Sequence, residues 1–206
     1  MKPILSIRGL NVRYKSSRGD VKAVRNATLD VRRGETLFLV GESGAGKSTL
    51  SLAILRILPE EVGEITSGKI VYYGEGGDNL DITTLKGKRL RRFRWKEASM
   101  VFQGAMNSLN PIMRIKGQLN DVMKAHKMRI SKKKARERMM SLLDMVKLDA
   151  DRVLKSYPHQ LSGGMRQRVM IAMSLLLDPK IVILDEPTTA LDVLTQKNIM
   201  DVLKEI

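Results

Sequence analysis

The sequence contains no cysteine. Disulfides and thiolate metal sites are therefore excluded, and the absence fits a reducing compartment such as the cytosol. Aromatic residues are scarce, at 4%, so few rings are available for bases of nucleic acid to stack on. Apolar runs such as residues 37–40 and 181–184 fall far short of the roughly 20 residues a membrane-spanning helix needs. No long apolar stretch follows Met1, Lys2 and Pro3, so no secretory signal peptide is expected. Acidic residues are also in short supply: 22 Asp and Glu stand against 37 Lys and Arg, a formal net charge of +15. That balance admits a nucleic-acid footprint, an anionic membrane surface or a lysine-rich solvated exterior. The densest basic groups lie at 86–94 and 131–138. Solvated helix faces account for both.

What is present suits a folded α/β protein. A length of 206 residues, 43% of them hydrophobic, allows one substantial domain or a core carrying an inserted subdomain. Leu5 and Ile7 alternate with polar neighbours, as do Leu10, Val12 and Tyr14, and then Ala27, Leu29 and Val31 beyond a polar turn at 16–20. This period predicts antiparallel strands with one wet face. Residues 36–40 form a continuous apolar run, which predicts a strand covered on both sides. A helix is expected over 47–58 and strands over 68–73 and 99–102. From 106 to about 157 the texture turns helical, with Leu119, Val122, Met123 and His126 on one face and a second helix over 132–146. The methionines there read as core packing. A second doubly covered strand is expected at 180–184 and a helix over 193–206. The order implies an α/β core with a helical insertion.

Three segments carry chemistry. Gly41, Glu42, Ser43, Gly44, Ala45, Gly46, Lys47 and Ser48 match the phosphate-loop pattern of Gly, four residues, Gly, Lys and Ser or Thr at every position. Such glycines let backbone N–H groups curl around phosphate oxygens, Lys47 adds a point charge at the β- and γ-phosphates, and Ser48 offers a hydroxyl to Mg²⁺. The helix expected from 47, with Thr49 in its first turn, presents its positive end to the same anion. A chance match is expected in roughly one chain in a hundred of this length. At the second apolar strand, Asp185 and Glu186 stand at the C-terminal end, which borders the ligand crevice in open α/β sheets. Asp185 there suits Mg²⁺, and Glu186 the orientation or deprotonation of a water. The third segment, Leu161, Ser162, Gly163 and Gly164, opens another helix with a small hydroxyl at its start. Two anion-ready helix starts exceed what one nucleotide within one subunit uses.

In the order and spacing of these segments the chain resembles the ATPase subunits of ABC transporters. The resemblance implies a P-loop NTPase (RecA-like) α/β core with an N-terminal antiparallel β subdomain and an inserted α-helical subdomain. Residues 1–103 and 163–206 would form the core with its β subdomain, and 104–162 the helical signature subdomain. It implies ATP and Mg²⁺ as ligands and a head-to-tail dimer with a second such subunit, identical or a paralogue. In that dimer Ser162, Gly163, Gly164 and Gln167 of one subunit close over ATP on the other's loop. Tyr14 resembles the aromatic that stacks on adenine, with local strand packing as the alternative, and Val24 the residue near the ribose. Gln103 resembles the glutamine that touches Mg²⁺ and water and senses the transmembrane partner. Residues 189–192 look like the loop through which subunits communicate.

The run from Gln103 to Pro111 and that from Tyr157 to Gln167 resemble the oligopeptide and dipeptide importer branch. This implies two transmembrane permease subunits, an extracytoplasmic solute-binding protein, a peripheral position on the cytoplasmic face of the membrane, and no nucleic-acid partner. A soluble ABC-type ATPase acting on nucleic acid or ribosomes is the alternative that the charge favours; the coiled coil or second cassette of such relatives is not found. No Asn-Lys-x-Asp pattern supports a GTPase, and Glu186 with Gln103 disfavours a non-hydrolysing sensor. The family's switch histidine is expected past Ile206, since His126 and His159 both lie upstream. A C-terminally truncated cassette that binds nucleotide but turns it over poorly is the resulting expectation.

Overall fold

A computed structural model describes residues 2–75, 77, 79–187, 193, 196, 197 and 199–201, which fall into two compact units, Met1–Arg91 and Arg92–Ile206. The first unit is built on a four-stranded antiparallel sheet. Strands β1 (Pro3–Tyr14) and β2 (Val21–Arg32) form the expected hairpin across the polar turn. After helix α1 (Lys47–Ile54), β3 (Gly63–Tyr73) pairs with the other edge of β1, and β4 (Asn79–Asp81) with β3, in the order β2-β1-β3-β4. The alternation seen in the sequence explains the pairing. Leu5, Ile7, Leu10 and Val12 of β1 and Ile70 and Tyr72 of β3 all point inward and are buried.

The step from Ile7 to Leu10 breaks the period of two, and a bulge absorbs it. The β1–β3 register shifts between Arg8 and Asn11, where Gly9 and Gly68 hold φ of 56° and 90°. A Cβ on Gly68 would lie 2.4 Å from the Gly9 carbonyl oxygen, so the close approach of the two strands requires glycine there. The wet face of the sheet is tied by charge. Arg8 bonds the Asp30 carboxylate at 2.6 Å, and Arg13 bridges Asp20 at 2.7 Å and Glu64 at 3.0 Å.

Two expectations for this unit need correction. Residues 36–40 join no ladder among the described strands, and Phe38 and Val40 are 70% and 94% exposed. An apolar run suits a doubly covered strand, but its backbone needs neighbours to bond, and no described strand supplies them. The helix expected over 47–58 ends at Ile54, because Arg56 enters the left-handed region at φ 56°. The Arg56 N–H then bonds the Ala53 carbonyl and the Ile57 N–H the Leu52 carbonyl, closing the end in a Schellman pattern.

The second unit joins a short parallel sheet to a helical cluster. Helix α2 (Gly87–Lys96), its backbone kinked at Arg94 and Trp95, leads to β5 (Ala98–Val101). Helices α3 (Ile115–Ala125), α4 (Lys132–Met145), α5 (Ala150–Lys155) and α6 (Gly163–Ser174) follow, and β6 (Ile181–Leu184) returns to pair with β5 in parallel. Ile115, Leu119 and Met123, spaced by four, form the buried stripe of α3. They meet Met139 and Leu143 of α4, Val153 of α5 and Val169 and Ile171 of α6 in one apolar core. His126 sits half-buried beside Trp95, ring centroids 5.9 Å apart, which is the packing role its helical spacing predicts. β6 is only half-buried, so less covered than its apolar composition suggests. The helix expected over 193–206 and the loop at 189–192 lie mostly or wholly outside the described residues. No described helix is long and apolar enough to cross a membrane.

Candidate functional site

The first unit holds the glycine loop. Gly44 and Gly46 adopt φ of 80° and 91°, and the Ala45 N–H bonds the Glu42 carbonyl at 3.2 Å, so the chain turns tightly before α1 begins. Gly46 allows nothing larger. A Cβ there would lie 2.2 Å from the Ala23 carbonyl oxygen and 3.7 Å from Val24 Cγ2. The loop thus rests on β2, and Val24, expected near a ribose, is a buried support beneath Gly46. Ala23 contributes through its backbone alone, which is why its side chain gave no signal. Lys47 folds its ammonium over the loop, donating to the carbonyls of Gly41 at 2.8 Å and Glu42 at 2.7 Å. Ser48 and Thr49 sit half-exposed in the first turn of α1, and Gly41, Ser43, Gly44 and Ala45 are exposed. Gly46 caps α1 without a side-chain bond, and the first turn has no acid. An exposed curl of backbone with a cation over it and a helix behind it is a cradle for an anion. Tyr14, at the end of β1, is half-buried, and a Cβ on Gly63 would lie 3.1 Å from its Cε1. One edge of its ring thus lies beside Gly63 of β3.

The second unit holds the acidic strand end. Because β5 and β6 run parallel with Val101 opposite Leu184, both strands deliver their C-terminal ends to one place. The Asp185 N–H extends the ladder to the Val101 carbonyl at 2.9 Å. Gln103 Nε2 then donates to Glu186 Oε2 at 2.7 Å. Glu186 is exposed and held at φ 47°, in the left-handed region uncommon for residues other than glycine. Sequence spacing placed Gln103 and Glu186 in separate motifs; the bond between them follows only from the parallel register. Asp185 is half-exposed, and its carboxylate, that of Glu186 and the Gln103 amide oxygen are each oxygen donors of the type Mg²⁺ takes.

The same unit holds the serine-glycine segment. Ser162 caps α6, its Oγ accepting the Met165 N–H at 3.3 Å, with exposed Ser162 and half-exposed Gly163 and Gly164 at the helix start. Gln167, expected to face ATP on a second subunit, lies deep in this chain. It is 3% exposed, and with Ile171 and Ser174 it falls at i, i+4 and i+7 on the buried face of α6. Arg168, unremarked in the sequence, reaches the carbonyls of Val146 at 3.4 Å and Lys147 at 2.9 Å and so satisfies the end of α4. Burial holds its guanidinium below the ordinary arginine range.

Residues 24–189 match the ABC transporter family. The dipeptide transport ATP-binding protein of Bacillus subtilis (strain 168) is 44% identical over 207 residues, covering 100% of this chain and 60% of that protein. The oligopeptide transport ATP-binding protein of the same organism is 40% identical, covering 98% of this chain and 55% of its own length. The chain thus spans about three-fifths of the length of these curated relatives. Among solved structures, a dimeric ATP-binding cassette in a post-hydrolysis state bound to ADP and Pi superposes with a TM-score of 0.80 at 29% identity, covering 98% of this chain and 82% of that one. A cassette of a Clostridium perfringens ABC transporter complex gives 0.77 at 30% identity, covering 100% and 74%. The α/β fold with its antiparallel sheet and helical cluster is that of these cassettes. With the phosphate loop, the serine-glycine helix start and the acidic strand end in one chain, this protein belongs to the ABC transporter family of ATP-binding cassettes.

Proposed function

We propose that the chain is the ATP-binding part of an ABC importer subunit that hydrolyses ATP to ADP and phosphate and couples this to uptake of dipeptides, oligopeptides or a related solute. The observation that carries the reading is the Gln103–Glu186 bond at the acidic strand end, in a chain that also holds an intact phosphate loop. In this proposal the loop of residues 41–49 binds the triphosphate through its backbone N–H groups. Lys47 exchanges its bonds to the Gly41 and Glu42 carbonyls for phosphate oxygens. Ser48, Gln103 and Asp185 would supply oxygen ligands to Mg²⁺, which would neutralise charge on the phosphates. Glu186 accepts a proton from the attacking water, and Gln103 holds that carboxylate in place. Tyr14 lends the base a packing surface at the end of β1.

Exposed Ser162, with Gly163 and Gly164, is the part offered to ATP on a second, head-to-tail cassette subunit, identical or a paralogue. The division into a core of residues 1–103 and 163–206 and a helical subdomain of 104–162 is part of the same reading. Two permease subunits, an extracytoplasmic solute-binding protein and a peripheral position on the cytoplasmic face of the membrane complete it, supported by relatives named as peptide importers.

Equilibrium binding of ATP with Mg²⁺, and phosphate release, test it. Lys47→Ala is expected to weaken ATP binding by at least about tenfold, the scale of a lost charge-assisted bond. Glu186→Gln is expected to keep binding and to remove whatever turnover the wild-type chain shows. A chain that fails to bind ATP, or hydrolysis indifferent to Glu186→Gln, would sink the proposal.

A further inference from the structure

The densest uncompensated charge of the second unit lies between α3 and α4. No carboxylate occurs between Asp121 and Glu137, while Lys127, Arg129, Lys132, Lys133 and Lys134 all do. All five are exposed, and none has an ion-pair partner among the described residues. The backbone fixes how they are shown. Lys127 closes α3 in a Schellman pattern, its N–H on the Lys124 carbonyl and the Met128 N–H on that of Met123. Met128 and Ile130 then turn inward onto the apolar core, so Lys127 and Arg129 are left outside. Ser131 caps α4 by accepting the Lys134 N–H at 3.2 Å, and three lysines fill the first turn. Cations are disfavoured at the positive end of a helix, and no acid in that turn relieves them. A local electrostatic cost therefore arises here that no described residue offsets by an ion pair.

We propose that this α3–α4 corner is a docking surface for anionic phospholipid headgroups, a peripheral contact additional to any made with permease subunits. The inference rests on the membrane-peripheral position proposed above. Lysine predominates, and its hydrated point charge suits a fluid array of headgroups rather than bidentate readout of one partner. No Phe, Tyr or Trp lies between residues 124 and 136, and the His126 ring is half-buried against Trp95, so the segment offers little stacking platform for single-stranded nucleic acid.

Co-sedimentation of the 206-residue chain with vesicles decides the matter. Binding is expected to phosphatidylcholine vesicles containing phosphatidylglycerol, to be weak for phosphatidylcholine alone, and to fall as salt rises. Substituting Lys132→Gln, Lys133→Gln and Lys134→Gln together should lower partitioning by at least about tenfold. Substituting Lys88→Gln, Arg89→Gln and Arg91→Gln on α2 removes the same charge and should change it less than about twofold. The triple Lys→Arg variant at 132–134 should retain binding, and thermal melts of each variant verify folding. Equal losses in both Gln variants would assign the effect to net charge and overturn the proposal. So would equal binding to neutral vesicles. Binding to an RNA oligonucleotide that displaces the vesicles and depends on the same lysines would overturn it in favour of a polynucleotide surface. ATP binding measured in parallel separates the two readings: vesicle binding without ATP binding counts against the cassette function alone.

Discussion

The two units are stabilised in different ways. The first is a sheet whose outer face is laced by Arg8–Asp30 and Arg13–Glu64 pairs and whose candidate site is backbone, a loop of glycines seated on the Ala23 carbonyl. The second is held by an apolar cluster across four helices, and its candidate site is made of side chains, Gln103, Asp185 and Glu186, at the ends of two parallel strands. A backbone site tolerates little added volume; a side-chain site tolerates little loss of packing beneath it.

Removing packing is the largest test. Leu143 of α4 is fully buried at the centre of the second unit's core. Leu143→Ala should cost about 3 kcal/mol, from lost transfer energy and the cavity left behind. Amide exchange at Leu119 and Met139 should accelerate while that at Ile7 and Ile70 in the first unit holds. Equal acceleration in both would show that the units unfold as one block and would erase the contrast. The converse substitution adds volume to the first unit. Gly46→Ala places a methyl where the Ala23 carbonyl stands, on a backbone at φ 91°. A stability loss of about 1–3 kcal/mol and an ATP affinity reduced tenfold or more are expected, measured by melting and equilibrium binding. Unchanged affinity would mean that the loop shifts on β2 without consequence.

These contrasts mark what the sequence made legible. The hairpin of β1 and β2 could be read from alternation, and even the skipped residue between Ile7 and Leu10 matched the bulge at Gly9 and Gly68. The buried face of α3 followed from spacing, since one stripe of apolar residues has one way to be buried, whereas for α4 only the helix itself was legible. Each motif was legible because glycine, lysine, serine and acid in fixed order have few structural uses. What failed was pairing and depth. The run at 36–40 is apolar enough for a strand, but composition does not say which backbone will bond it. Gln167 is polar, and its burial came from helical phase rather than residue type. The Gln103–Glu186 bond spans 83 positions and exists only because β5 and β6 align.

Acid should separate the units next, with a smaller effect. In the first unit Asp30 is held below the usual carboxylate range by the Ser6 hydroxyl and then Arg8, and Glu64 likewise by Arg13. A carboxyl whose folded pKa is depressed adds stability above its unfolded pKa and loses it as pH falls through the folded value. The sheet should therefore weaken as pH drops below the ordinary carboxylate range, modestly because both pairs are exposed. Exchange rates in β1 and β3 read this. Asp30→Asn should flatten the acid dependence there; an unaltered profile would show that the cross-strand pairs contribute nothing measurable.

The smallest effect isolates the backbone itself. Lys147 ends α4 as Gly46 begins α1, in the left-handed region, with φ 57°, and its N–H bonds the Asp144 carbonyl at 2.8 Å in a Schellman pattern. Glycine adopts this conformation without the steric penalty a Cβ brings, which favours Lys147→Gly by about 1 kcal/mol. Two terms oppose it. The lysine charge complements the negative end of α4, worth about 0.3–1 kcal/mol, and glycine adds freedom to the unfolded chain. The net expectation is a gain of no more than about 0.5 kcal/mol, visible as a slight rise in the melting temperature of the second unit. A fall instead would mean that charge at the helix end outweighs strain, and that basic residues at 56, 127 and 147 are placed to satisfy helix ends rather than tolerated there. At Gly46 no such trade exists, because the Ala23 carbonyl occupies the space a side chain would need. The same backbone angle is thus negotiable where it ends a packed helix and fixed where it shapes the phosphate loop.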